Sequence, residues 1–115
     1  MGNPVAHAEI RAKDPDAARD FYGKLFDWTF PAAPEPGYTF IETGVRGAIP
    51  GGIGMARSGA GHVTFFVDVD DVDAALAKAE RLGGSIVLSA QHVPGTSFGL
   101  FADPQGHVVG VSHNG

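Results

Sequence analysis

The sequence predicts an α+β fold assembled from two tandem β-α-β-β-β modules, the first over about residues 4–56 and the second over about 61–114. Three observations carry that prediction. The chain repeats a pattern: His7-Ala8-Glu9-Ile10-Arg11-Ala12 leads into Asp14-Pro15-Asp16-Ala17-Ala18, and His62-Val63-Thr64-Phe65-Phe66-Val67 leads into Asp70-Asp71-Val72-Asp73-Ala74-Ala75. Each copy passes from a strand period to a helical one, and a repeat of this kind decides an architecture before any single element does. Each helical stretch is then followed by three short strand candidates separated by Pro, Gly and Asp-Pro turn signals.

The elements follow in order. In the first strand, over His7 to Ala12, alternation places Ala8, Ile10 and Ala12 on one face and His7, Glu9 and Arg11 on the other. The first helix spans about Asp14 to Phe26. Asp14 is an N-cap acceptor, Pro15 suits the first turn, and Ala17, Ala18, Phe21 and Leu25 form an apolar stripe. Phe21, Leu25, Phe26 and Trp28 are expected in the core. Strands are expected at Trp28 to Phe30, Tyr38 to Thr43 and Ile49 to Met55. In the second copy Val63, Phe65 and Val67 are expected beneath a helix, with His62, Thr64 and Phe66 on the opposite face. That helix runs from about Val72 to Leu82, capped by Asp70 or Asp71 and ended by Gly83-Gly84, with Val72, Ala75, Ala79 and Leu82 as its stripe. Strands over Ser85 to Val93, Ser97 to Ala102 and His107 to His113 complete it.

Composition bounds the function. At 115 residues and 43% hydrophobic content, a single domain over 1–115 with a real core is expected. A net charge of −5 with only eight scattered Lys and Arg argues against a nucleic-acid partner. No apolar run approaches the roughly 20 residues needed to cross a bilayer, and the N-terminus lacks a leader pattern, so no membrane partner and a cytoplasmic location are expected. The absence of cysteine removes thiolate nucleophiles and thiolate metal sites, which leaves His and carboxylates as the available ligands.

Three motifs in order resemble the vicinal oxygen chelate superfamily of glyoxalases, bleomycin-resistance proteins and extradiol dioxygenases. Phe21-Tyr22-Gly23-Lys24-Leu25-Phe26-Asp27-Trp28 resembles its "FY..LFGW" signature, Val69 to Ala75 its "VDDVDAA", and Asp103-Pro104-Gln105-Gly106-His107 its "DPdGh" turn. The resemblance spans nearly the whole chain. It implies a curled mixed sheet around a cup with helices on the outer face, a small-molecule ligand in the cup, and a homodimer. Under that reading His7, Glu9 and Arg11 face the cup from one module, and His62, Thr64 and Phe66 from the other. Arg11, Tyr38, Phe40, Thr64 and Phe66 are its candidate ligand-binding residues, and Glu9 is the candidate catalytic base.

Metal-dependent relatives take a ligand from the first strand of each module and a carboxylate from the last, because a cation with open positions needs about three fixed N/O donors. His7 lies at the first such position, seven residues before Asp14. Its counterpart is Thr64, with His62 two residues away, and the carboxylate position holds Gly110. His7 and His62 are therefore the candidate metal ligands. The cofactor is unknown at this level, with a divalent metal as the candidate. His92, His107 and His113 read as surface or turn residues, and Arg11 reads as the buried partner of Glu9. Gly52, Gly54 and Gly110 either make room for a ligand or mark bends in a curled sheet.

Three functions remain: a metal-independent binding module, a metal-dependent lyase, isomerase or dioxygenase acting on vicinal oxygens, and a cofactor-free enzyme using Glu9 and His62 as acid and base.

Overall fold

A computed structural model describes residues 2–114. Among them the order is β1 (Val5–Ala12), α1 (Pro15–Phe26), β2 (Thr39–Ile41), β3 (Gly51–Met55), β4 (Gly61–Asp68), α2 (Val72–Arg81), β5 (Ser85–Val93), β6 (Thr96–Ala102) and β7 (Val108–Asn114). The fold is α+β with mixed strand pairing, as the repeat requires. The chain forms two compact units. The first covers His7–Val63, and the second covers residues up to Ala6 together with those from Thr64 onward.

In the first unit β3 lies between β1, to which it is parallel, and β2, to which it is antiparallel. Parallel β1 and β3 need a crossover, and α1 supplies it. Asp14 caps α1 by accepting from the Ala17 amide at 3.1 Å, with Pro15 at the first helical position. Asp27 then leaves the helix in the left-handed region at φ 62°.

The buried side of α1 is not the expected one. Pro15, Ala18, Arg19, Tyr22 and Gly23 are buried or half-buried, whereas Ala17, Phe21, Leu25 and Phe26 are exposed. Arg19 lies on the buried side, where its guanidinium donates to the Ile53 carbonyl at 3.4 Å and the Thr39 hydroxyl at 3.2 Å. Gly23 is small where Phe30 and the Trp28 carbonyl approach, so a Cβ there would lie 3.2 and 3.3 Å from them. Tyr22, Phe26 and Trp28 pack on one another instead of entering a core beneath the sheet.

The strand expected at Trp28 to Phe30 is reduced to a lone bridge between Thr29 and Glu42, with a second between Ala32 and Thr39. Pro31, Pro34 and Pro36 withhold the amide hydrogens that a continued ladder needs.

In the second unit the strand order is β4-β7-β6-β5, parallel for β4 with β7 and antiparallel thereafter. Asp71 caps α2 through the Ala74 amide at 3.0 Å, and Gly83 takes φ 101° just past its end. Val72 and Leu76 of α2 meet Val111 to form the core here, joined by Val69, Ala75, Ala90 and Phe101. Leu82 caps the helix and is exposed rather than part of the stripe. Gly99 admits Leu76, since a Cβ at Gly99 would sit 2.7 Å from the leucine Cδ1. The helix α2 packs on β5, β6 and β7, and Val63 and Phe65 are exposed where burial under a helix was expected.

Candidate functional site

The first unit gathers five of the expected residues around one buried carboxylate. Glu9 is only 4% exposed and Arg11 7%, and the parallel register sets Glu9 beside Gly52 and Arg11 beside Gly54. Alternation therefore gives these four one face of the β1/β3 pair, while Ile10 and the fully buried Ile53 take the other. Buried charges persist only when paired, and Arg11 Nη2 lies 3.2 Å from Glu9 Oε1. Arg11 Nη1 reaches Glu35 Oε2 at 3.2 Å and the Met55 carbonyl at 3.4 Å, and the guanidinium carbon stands 4.9 Å from the centre of the Tyr38 ring.

The second oxygen of Glu9 is less well served. Arg57 Nη1 stands 3.8 Å from Glu9 Oε2, close enough for charge attraction, and His62 Nε2 stands 3.9 Å from it, both beyond hydrogen-bond length. Glu9 Oε2, Arg11 Nε and His62 Nε2 are each buried without a hydrogen-bond partner. Native structures leave few such atoms, and groups separated by such gaps commonly share a water or a ligand.

Tyr38 closes the cluster. Its hydroxyl meets His7 Nε2 at 2.9 Å, and Phe40 touches its ring edge-on with centres 6.2 Å apart. Burial, with the nearby Glu9 charge, pushes the phenol well above its ordinary pKa, so it stays protonated. Burial likewise lowers His7, opposed by Glu9 and reinforced by Arg11. Arg57 is lowered by burial first and then by Arg11. For Arg11 burial opposes the charge, but Glu9 and Glu35 outweigh it and the net shift is upward.

The glycines of β3 are explained by Tyr38. A Cβ on Gly52 would fall 2.0 Å from the tyrosine Oη, and one on Gly54 2.6 Å from its Cδ2. The room these glycines leave is filled by the protein's own ring. Gly110 repeats the device in the second unit, where an added Cβ would fall 2.4 Å from Phe66 Cδ2. Thr64 is tied there too, donating to the Val108 carbonyl at 2.7 Å. The outlying histidines are engaged locally: His92 with Asp73, His107 with Asp103, and His113 Nδ1 with the Val69 carbonyl.

Cavities open in the first unit. One of about 260 Å³ lies between α1, at Ala18 and Tyr22, and the strand residues Ile10 to Ala12 with His62 and Val63. Another, about 380 Å³, lies among residues 41–50 and touches none of the buried charges. Neither cavity is lined by His7, Glu9 or Tyr38, so the cluster itself is packed by its own side chains.

The residues fit a metal poorly. Among the described residues no group of three or more His, Asp or Glu side chains could hold an ion. Glu9 already faces two guanidiniums, which would repel a dication, and His7 Nε2 is turned to the Tyr38 hydroxyl. Sequence reasoning did not single out Glu35 and Arg57. Both are charged loop residues with no periodicity to mark them, and only the folded turn brings them to Glu9 and Arg11.

Comparison with known proteins agrees with this architecture. The family model described as Glyoxalase/Bleomycin resistance protein/Dioxygenase superfamily matches residues 5–111. The anthracycline biosynthesis protein DnrV of Streptomyces peucetius is 29% identical over 125 aligned positions, covering 93% of this chain and 46% of its own length. The chain thus spans about half the length of that curated relative. A superfamily member from Vibrio splendidus 12B01 superposes with a TM-score of 0.63 at 12% identity, covering 98% of this chain and 100% of that one. Methylmalonyl-CoA epimerase from Mycobacterium tuberculosis gives 0.59 at 14% identity, with 96% and 87% covered. At such identities the structures speak for the fold alone.

Proposed function

The chain belongs to the glyoxalase/bleomycin resistance protein/dioxygenase superfamily, and from that premise we propose that it binds a small organic molecule at the Glu9 cluster without a metal centre. The observation that carries this reading is the trio of buried, unpartnered polar atoms, Glu9 Oε2, Arg11 Nε and His62 Nε2. An acceptor and two nitrogens left dry in one region destabilise the free protein, and a ligand with matching groups relieves them. Similarity to a protein of anthracycline biosynthesis supports an organic natural product as the kind of ligand.

A thermal-shift screen of aromatic and peptide-like antibiotics tests this. A ligand at 100 times its Kd raises stability by about 2.7 kcal/mol. The expected result is a ligand whose shift survives a chelator and disappears in Glu9→Gln. A shift that requires added divalent metal and is lost in His7→Ala would replace this reading with the metal-dependent lyase, isomerase or dioxygenase.

A second reading rests on one distance. Glu9 Oε2 and His62 Nε2 stand 3.9 Å apart, a gap across which a substrate could exchange a proton with either group. Solvent deuterium entering a bound ligand, and failing to enter with His62→Gln, distinguishes catalysis from binding.

A homodimer belongs to the same proposal. The exposed Phe21, Leu25 and Phe26 on α1 are the apolar surface that supports it, and light scattering of Phe21→Asp beside the wild type measures it.

A further inference from the structure

The ring of Tyr38 occupies an unusual place. It does not come from a strand of the β1/β3 face but from the turn just before β2, closed by the Tyr38 amide donating to the Glu35 carbonyl at 3.1 Å with Gly37 at φ 77°. The ring lies flat against a floor prepared by two glycines, Gly52 and Gly54, one strand period apart. Over it stands the Arg11 guanidinium, at its hydroxyl is His7, and at its edge is Phe40. The tie that holds the turn down is the pair between Arg11 and Glu35, whose side chain is about half exposed. With the turn closed, Glu9 Oε2, Arg11 Nε and His62 Nε2 remain without hydrogen bonds. Every feature that receives the phenol would receive another flat phenol equally well, and one with further oxygen substituents would also serve the unpaired atoms.

We propose that Tyr38 is an internal stand-in for the ligand: the turn carrying Glu35 and Tyr38 lifts, and a hydroxylated aromatic compound replaces the tyrosine ring on the Gly52 and Gly54 floor. The ligand's ring stacks against Arg11, its hydroxyl meets His7 Nε2, and additional oxygens take Arg11 Nε and His62 Nε2. Binding then competes with the closed turn, so apparent affinity falls short of intrinsic affinity by the fraction of molecules with the turn open. This rests on the Glu9 cluster being a ligand site and adds the class of ligand and the residue it displaces.

The chain has two tyrosines, Tyr22 and Tyr38, so ring carbon-13 labelling gives two sets of signals, which Tyr22→Phe assigns. The probe is 2-naphthol, with 2-methoxynaphthalene as the control lacking a donor. On saturating wild type with 2-naphthol, the Tyr38 ring signal is expected to move to the position of an exposed tyrosine. Glu35→Gln, which loosens the tie but keeps the ring, is expected to bind 2-naphthol several-fold more tightly than wild type. Tyr38→Ala is expected to gain at least tenfold and to prefer 2-naphthol to the methyl ether by a similar factor. An unmoved Tyr38 signal under saturation, or no gain in Glu35→Gln, overturns the proposal, and the latter variant decides the matter should Tyr38→Ala fail to fold. If wild type binds an antibiotic from the screen and Tyr38→Ala loses it, Tyr38 is a wall of the site, so the binding function stands and the stand-in falls. If wild type answers to no screened compound while 2-naphthol moves Tyr38 as described, the stand-in and the ligand site both stand and only the natural-product class of the ligand falls.

Discussion

Replacing Arg11 with methionine keeps most of its volume and removes its charge, which isolates the electrostatic support of Glu9. At the observed 3.2 Å, an effective dielectric constant of about 20 gives an attraction of about 5 kcal/mol between the two charges. Desolvation of both groups offsets much of this in the native protein, but the variant keeps the buried carboxylate and loses its partner. Truncating one member of a buried pair typically costs about 3–5 kcal/mol. Arg57, at 3.8 Å, remains to screen the charge and places the expectation at the lower end. A loss of about 3 kcal/mol corresponds to a fall in Tm of roughly 10 °C for a chain of this size. Urea unfolding of Arg11→Met, Glu9→Leu and the double variant forms a cycle. The double variant should recover at least about 1 kcal/mol relative to the sum of the singles, since both buried charges are then gone. A coupling below about 0.5 kcal/mol would show that Glu9 draws its stability from elsewhere and would undo the account of the site.

Other outcomes follow from the same geometry. His7 has a depressed folded pKa, so protonation favours the unfolded chain. Its contribution is fully present above its ordinary value of 6.5 and is lost as pH falls toward the folded value, and His7→Gln should flatten the slope of stability against pH in that window while leaving the slope near pH 8 as it is. The two caps form a matched pair: Asp14→Ala and Asp71→Ala should each cost about 1 kcal/mol by chemical denaturation. Gly110→Ala must displace the Phe66 ring and should cost about 1–3 kcal/mol, a loss that Gly110→Ala combined with Phe66→Leu should partly reverse.

The duplicated plan was legible in the chain because each of its signals is local. A capping Asp three residues before the amide it accepts from, a helix period and an Asp-Pro turn are read within a dozen residues, and both helices begin where those signals put them. The alternation of β1 likewise marked Glu9 and Arg11 as neighbours on one face. Other features depended on which element covers which. On α1 it is Arg19 that meets the Ile53 carbonyl while Phe21 and Leu25 are exposed, and Val63 and Phe65 are exposed while α2 lies on β5, β6 and β7. Neither partner is near in sequence, so apolar periodicity alone pointed Phe21 and Leu25 inward. The same holds for the site. Sequence marked Gly52 and Gly54 as missing side chains on a lining strand, but whether that space stood open or filled was settled by a turn two dozen residues after Arg11, folding back to lay Tyr38 over both. Local bonding rules act through the chain and can be read along it, whereas the occupancy of a space is a property of everything that packs around it.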